Sequence, residues 1–219
     1  MLIPLADIQA ALDAHRVSVH GVFHVGAHEC EEMAVYDQMG LPRESVVWVD
    51  AMEHKVAQAR AWGVTTIFHG VMSDADDVET AFNIANNGQS SSLLEFGTHA
   101  TEHPSITFVA RETVRTVTVD TFFARQNIDC AAHNFWNFDI QGAELMALRG
   151  AERSLPFADA LYLEVNSAPL YQGGALVDEI DEFLAPRGFS RVLTNMTEYG
   201  WGDALYLREG GQSPPFEPL

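Results

Sequence analysis

Gly26 and Asp50 are the first residues in this chain whose types and spacing point to chemistry. Gly26 closes the apolar run Gly21-Val22-Phe23-His24-Val25, and Asp50 closes a second run, Val46-Val47-Trp48-Val49. A buried strand that turns at once into a helix needs the backbone freedom of glycine, which also lets a ligand approach the main chain. A carboxylate ending the next strand can accept hydrogen bonds from both hydroxyls of a ribose. Together they read as the opening of an α/β nucleotide-binding unit with a site for an adenosyl ligand. The loop reads Gly26-Ala27-His28-Glu29-Cys30, so the glycine fingerprint of dinucleotide-binding proteins is absent. Glu29, Glu31 and Glu32 at the expected helix start would repel a pyrophosphate, which favours a cationic ligand without phosphate.

The elements that must position these residues follow from apolar spacing and stop signals. A helix is predicted over Pro4 to His15, a strand over Val22 to Gly26 and a helix over Glu29 to Met39, stopped by Gly40 and Pro42. Next come a strand over Val46 to Asp50, a helix over Glu53 to Trp62 and a strand over Thr65 to Gly70. This βαβαβ order favours right-handed crossovers and parallel pairing. Val71 to Thr116 loses periodicity and reads as short strands and a substrate-facing loop. Val114 to Val119 is predicted as a short strand, Asp120 to Gln126 as a helix, Asn134 to Ile140 as a strand and Gly142 to Glu152 as a helix. A strand over Ala160 to Val165, a helix over Ala175 to Ala185, and an antiparallel pair from Phe189 to Leu193 and Ala204 to Leu207 complete the domain. The expected organisation is an N-terminal helix over residues 1–20, a catalytic domain over 21–209 and a flexible tail over 210–219.

With 219 residues, 47% of them hydrophobic, the chain can bury one substantial core. Its 31 acidic against 12 basic residues give a formal charge of −19, which argues against nucleic acid and anionic membrane surfaces as partners. No apolar run reaches the length of a signal core or a membrane span, so a soluble cytoplasmic protein is expected. Cys30 and Cys130 form no CxxC pair and are expected as reduced thiols.

Further segments carry a resemblance. Asp139-Ile140-Gln141-Gly142-Ala143-Glu144, continuing to Leu148-Arg149-Gly150-Ala151, resembles the D-x-[EQ]-G-A-E-x-x-x-L-x-G-A block of FkbM-type S-adenosylmethionine-dependent methyltransferases. Asn87-Gly88-Gln89-Ser90-Ser91-Ser92-Leu93-Leu94 is similar to that family's serine-rich loop. Tyr162-Leu163-Glu164-Val165-Asn166 with Leu170-Tyr171, and Gly200-Trp201-Gly202-Asp203-Ala204-Leu205-Tyr206, are similar to its last strands. The likeness runs in order from about Gly21 to Arg208. The chain departs from the family at His28 and Cys30, where asparagine and a second glycine are usual, and at Asp50-Ala51, where glutamate is usual.

The resemblance implies an α/β, Rossmann-like class I methyltransferase fold, with a seven-stranded, mostly parallel sheet and helices on both faces. It implies S-adenosylmethionine as methyl donor and a small hydroxylated acceptor, a sugar or natural product; homo-oligomerisation is left open. Gly26, Ala27, His28, Glu31, Asp50, Ala51, Met72, Ser73 and Asp139 are the expected donor-binding residues. Asp139, Glu164 and His99 are the expected catalytic residues, because the Asp139 strand ends beside the transferable methyl group in this fold. Gly26, Asp50, Ser73, Asp139 and Glu164 should then face one cleft.

Blander readings stand beside these. His24 lies within a strand and reads as a satisfied core residue. Asp74 to Asp77 reads as a solvated acidic turn. His99 and His103 have helical metal spacing but lack the adjacent glutamate of HExxH, so no metal is expected. Cys30 is a poor nucleophile beside acidic neighbours. Two rivals remain: a non-catalytic adenosyl-ligand-binding protein on the same fold, and a nicotinamide-dependent reductase. The absent glycine fingerprint and the lack of a Tyr-x-x-x-Lys pair weaken the second.

Overall fold

The computed structural model describes residues 1–210. In chain order these are α1 (Leu5–Ala14), β1 (Val22–Val25), α2 (Met33–Gln38), β2 (Val46–Asp50), α3 (Glu53–Ala61), β3 (Ile67–His69), β4 (Val71–Met72) and β5 (Glu79–Ala85). There follow α4 (His99–Glu102), β6 (Phe108–Val117), α5 (Val119–Gln126), β7 (Phe135–Phe138), α6 (Glu144–Arg149), β8 (Ala160–Asn166), α7 (Val177–Leu184), β9 (Phe189–Met196) and β10 (Trp201–Arg208).

Seven strands form one sheet in the order β3-β2-β1-β7-β8-β10-β9. The first five pair in parallel, and β10 runs antiparallel to both its neighbours. Strand side chains alternate between faces, so each central strand feeds two cores. Phe23, Val25, Val47, Val49, Trp136 and Phe138 join one apolar cluster; Val22, Val46, Trp48 and Phe135 join the other. Fully burying a side chain such as Phe23 stabilises the fold by roughly 1.5–3 kcal/mol. Ile8 and Leu12 of α1 belong to the second cluster, which seats the N-terminal helix on the sheet. His24 is a core residue as expected: it is buried, and its Nδ1 lies 2.8 Å from the Tyr36 hydroxyl.

Several boundaries differ from the sequence expectation. The helix expected from Glu29 starts only at Met33, because His28 (φ +42°) and Cys30 (φ +57°) adopt left-handed backbone that no helix contains. The helix expected over Gly142 to Glu152 spans Glu144–Arg149, since Gln141 (φ +57°) and Gly142 (φ +94°) form a turn. The aperiodic stretch contains a regular hairpin, β5 with β6, and the strand expected over Val114 to Val119 is the end of the ten-residue β6. Val109 to Val114 lack a buried face, which removes the alternation by which a strand is recognised. The expected flexible tail falls, from residue 211 on, outside the described residues. No helix among the described residues is long and apolar enough to cross a membrane.

Candidate active site

Strands β2, β1, β7 and β8 end on one edge of the sheet, where β10 begins. Along that edge lies a cavity of about 400 Å³. Val25 and Gly26 at the end of β1, Asp50 and Ala51 at the end of β2, Asp139 after β7, Glu164 in β8 and Asp203 in β10 all line it. The hairpin and the serine loop supply the facing wall, through Phe82, Asn87, Gly88, Ser90, Ser91 and Leu93.

The turn after β1 is built on Gly26, with φ +94°; a Cβ there would lie 1.9 Å from the Asp139 carbonyl oxygen. Only a residue without a side chain lets the two strand ends touch. Asp50 is 4% exposed and completes this turn: one carboxylate oxygen accepts from the His28 N–H and the other from the Met52 N–H, both at 2.7 Å. Burial pushes its carboxyl up, and the two backbone donors oppose that rise. Each oxygen keeps lone-pair capacity for a further donor, such as a ribose hydroxyl. Glu31 accepts from the Glu29 N–H at 3.0 Å and lies 2.7 Å from His28 Nδ1. Burial raises the Glu31 carboxyl, but the His28 contact and the backbone donors outweigh it and hold the group below its ordinary value.

The turn after β7 is capped from within. Glu144, buried at the start of α6, accepts from the Ile140 N–H (2.9 Å) and the Gly142 N–H (3.2 Å). Burial is the main reason its carboxyl is pushed up to about 7. Gln141 then points back: its amide donates to Asp139 Oδ1 at 2.6 Å and to Glu164 Oε2 at 2.5 Å, while its own oxygen accepts from the Tyr171 hydroxyl. Asp139 is exposed in the cavity, whereas Glu164 is buried. Burial first, and then Asp139 beside it, hold the Glu164 carboxyl well above the carboxylate range. The serine loop is fastened to this turn, since the Ser92 hydroxyl donates to the Gln141 carbonyl at 2.8 Å. The loop is also tied within itself: Ser90, Ser91 and Ser92 are buried and bonded there.

Of the expected site residues, Gly26, His28, Glu31, Asp50, Ala51, Met72, Asp139, Glu164 and His99 all line the cavity. Two do not. Ala27 is fully buried, joins the core and donates its N–H to the Val49 carbonyl. Ser73 is buried just past the end of β4, where its N–H donates to the Val117 carbonyl and its own carbonyl packs against Gly150. The acidic run is structural in part, because Asp76 accepts from the Thr118 N–H and the Thr121 hydroxyl at the start of α5. Cys30 is no nucleophile: burial, then Asp50 and its glutamate neighbours, push its thiol up to about 12. Tyr171, Gln141 and Asp203 were not among the expected site residues, although all three stand within the segments that carry the resemblance. No group of side chains among the described residues could hold a metal ion.

His99 lines the cavity at 5% exposure, stacked on Phe96 with ring centres 4.2 Å apart and planes 9° from parallel. Burial first, then His103, lower its affinity for a proton. Its Nδ1 has no hydrogen-bond partner.

A model of the methyltransferase FkbM domain matches residues 23–191. No curated protein matches the chain. Among solved structures it is similar to the magnesium protoporphyrin IX methyltransferase of Synechocystis PCC 6803 with bound SAM, at 14% identity and a TM-score of 0.45, covering 94% of this chain and 78% of that one. It is similar to an O-methyltransferase from Bacillus cereus in complex with SAH, at 13% identity and a TM-score of 0.45, covering 95% and 93%. The ribosomal protein L11 methylase of Lactobacillus delbrueckii subsp. bulgaricus is similar at 14% identity and a TM-score of 0.46, covering 94% and 77%.

Proposed function

The chain belongs to the FkbM methyltransferase family and is an S-adenosylmethionine-dependent methyltransferase; from that premise we propose that it methylates a hydroxyl of a sugar or natural product, with Asp139 as the proton acceptor. The observation that carries this reading is the Gln141 bridge, which holds Asp139 and Glu164 together beside the Gly26 turn in one cavity.

The cavity's residues fit the methyl donor. Asp50 offers unfilled lone pairs to the ribose hydroxyls, Glu31 a carboxylate to the ammonium, and Ala51, Met52 and Met72 apolar surface to the adenine. S-adenosylmethionine supplies an electrophilic methyl carbon on a sulfonium centre. The protein then has to align the acceptor oxygen, exclude water and take one proton. In this reading the acceptor oxygen gains the methyl group and its proton passes to the Asp139 carboxylate. The Gln141 amide fixes the direction in which that carboxylate points. Glu164, buried beside it, is the positioning partner that the Gln141 amide ties to Asp139, as environment divides roles between two neighbouring carboxyl groups. His99, held neutral by burial, is the second proton acceptor at the site. Leu93, Tyr171 and Trp201 wall off water.

Asp139→Asn keeps the shape and the Gln141 contact but removes the base. We expect methyl transfer to hydroxylated acceptors to fall by about 10²–10⁴-fold, while S-adenosylhomocysteine binding, measured by calorimetry, is unchanged. Full turnover in that variant refutes the assignment.

A further inference from the structure

The charge around the acceptor end of the cavity narrows the acceptor further. Glu164 and Asp203 face each other directly across the paired strands β8 and β10, at 6% and 7% exposure. Like charges in directly opposed strand positions repel, and a buried carboxyl without a cation is costly. Neither is paired with a cationic side chain. Glu164 has the Gln141 amide and the neighbouring Asp139 carboxyl, and Asp203 has the Tyr162 hydroxyl and the Leu2 N–H. None of Asp139, Glu164 and Asp203 takes part in an ion pair among the described residues. The cavity lining contains no lysine or arginine among the described residues; the Met1 amino group that borders it is paired with Glu32, and its charge also reaches Asp203, where it opposes the rise that burial causes.

His99 adds an independent signal at the same end. It is a nine-tenths buried imidazole whose Nδ1 has no hydrogen-bond partner. The carboxyl groups of Asp139, Glu164 and Asp203 dominate the polar lining here, and the rings of Tyr171 and Trp201 line the same space. A ligand rich in N–H and O–H donors and carrying positive charge complements such a surface, and aromatic faces attract the same charge. The donor's own charge does not fill this need. β8 and β10 lie two and three strands beyond β1, roughly 10–14 Å along the sheet from the turn that holds the adenosyl end.

We propose that the acceptor is a polyhydroxylated ring bearing a basic amine, with its ammonium held by Asp203 and Glu164, and that phosphorylated or carboxylated acceptors are excluded. This rests on the reading that places the acceptor at the Asp139 end.

The test is ligand-observed saturation-transfer NMR on the full chain saturated with S-adenosylhomocysteine, using three matched rings: streptamine, myo-inositol and inositol monophosphate. Streptamine is expected to bind about tenfold more tightly than myo-inositol, and inositol monophosphate not at all. Asp203→Asn, and separately Glu164→Gln, are expected to reduce the streptamine preference towards that of the neutral ring with S-adenosylhomocysteine affinity kept. Equal binding of the amine and the neutral ring, binding of the phosphate, or no binding of any ring to the loaded protein overturns the proposal. Replacing the product with S-adenosylmethionine separates the two readings. An amine that is preferred but methylated on nitrogen sinks the hydroxyl assignment and leaves the amine preference standing.

Discussion

The turns after β1 and β7 solve the same problem in different ways. Both leave adjacent parallel strands for a helix, both hold left-handed residues, and both have backbone N–H groups near the cavity that need acceptors. The first borrows its carboxylate from the neighbouring strand: Asp50 takes the His28 N–H. The second carries its own, since Glu144 takes the Ile140 and Gly142 N–H groups. A borrowed carboxylate stays at the cavity wall, free to take ligand hydroxyls as well. An internal one is sealed under the turn, so the Asp139 carboxylate is not spent on the turn's N–H groups and stays in the cavity. In the proposed function, donor binding and acceptor chemistry are divided between two turns that meet where Gly26 packs against the Asp139 carbonyl.

That point is where the comparison breaks most violently. Gly26→Ala forces a Cβ to 1.9 Å from the Asp139 carbonyl at a φ of +94°, so both turns must move. We expect a loss of roughly 3 kcal/mol or more in denaturant unfolding, with S-adenosylhomocysteine binding lost in calorimetry. Near-native stability with binding intact means the turns are not mechanically joined.

A pH dependence isolates the second turn. The Glu144 carboxyl is raised from 4.5 in the unfolded chain to about 7 in the fold, so the native state holds the proton more tightly. Its contribution to stability is fully present below about pH 4.5 and is lost as pH rises through about 7. Glu144→Gln keeps an oxygen for the Ile140 and Gly142 N–H groups and abolishes the titration. Its Tm is expected to fall less than that of the parent between about pH 5 and about pH 8. The fall is reduced rather than removed, because burial also raises Asp50, Glu164 and Asp203. An unchanged slope means that Glu144 is not the titrating cap.

How far each turn can be read from sequence follows from where its partners lie. The first turn was legible because β1 and β2 are short apolar runs with a glycine and a carboxylate at their ends. Asp139 and Glu164 were legible as members of the segments that resemble the family. Gln141 was visible as a residue and not as a bridge, because its partners Glu164 and Tyr171 are 23 and 30 positions away and meet it only on folding. Ser73 follows the end of β4 but is buried against Val117 and Gly150, partners distant in sequence that no local pattern shows. The β5–β6 hairpin escaped because much of β6 is exposed on both faces, so no period marks it.

The finest contrast lies between two left-handed residues with the same φ of +57°, Cys30 in the first turn and Gln141 in the second. Backbone of this kind costs a residue with a Cβ roughly 1–2 kcal/mol. At Cys30 the side chain contributes burial alone, worth about 0.8 kcal/mol per methylene-sized group. Relief of strain and loss of burial nearly offset each other in Cys30→Gly, so the variant should gain less than about 1 kcal/mol, a Tm rise of about 2–4 °C at most. Gln141→Gly relieves the same strain but removes the amide that joins Asp139 to Glu164, and its Tm should fall. If both glycine variants move Tm upward together, the Gln141 bridge adds nothing to the fold, and the second turn is only a turn.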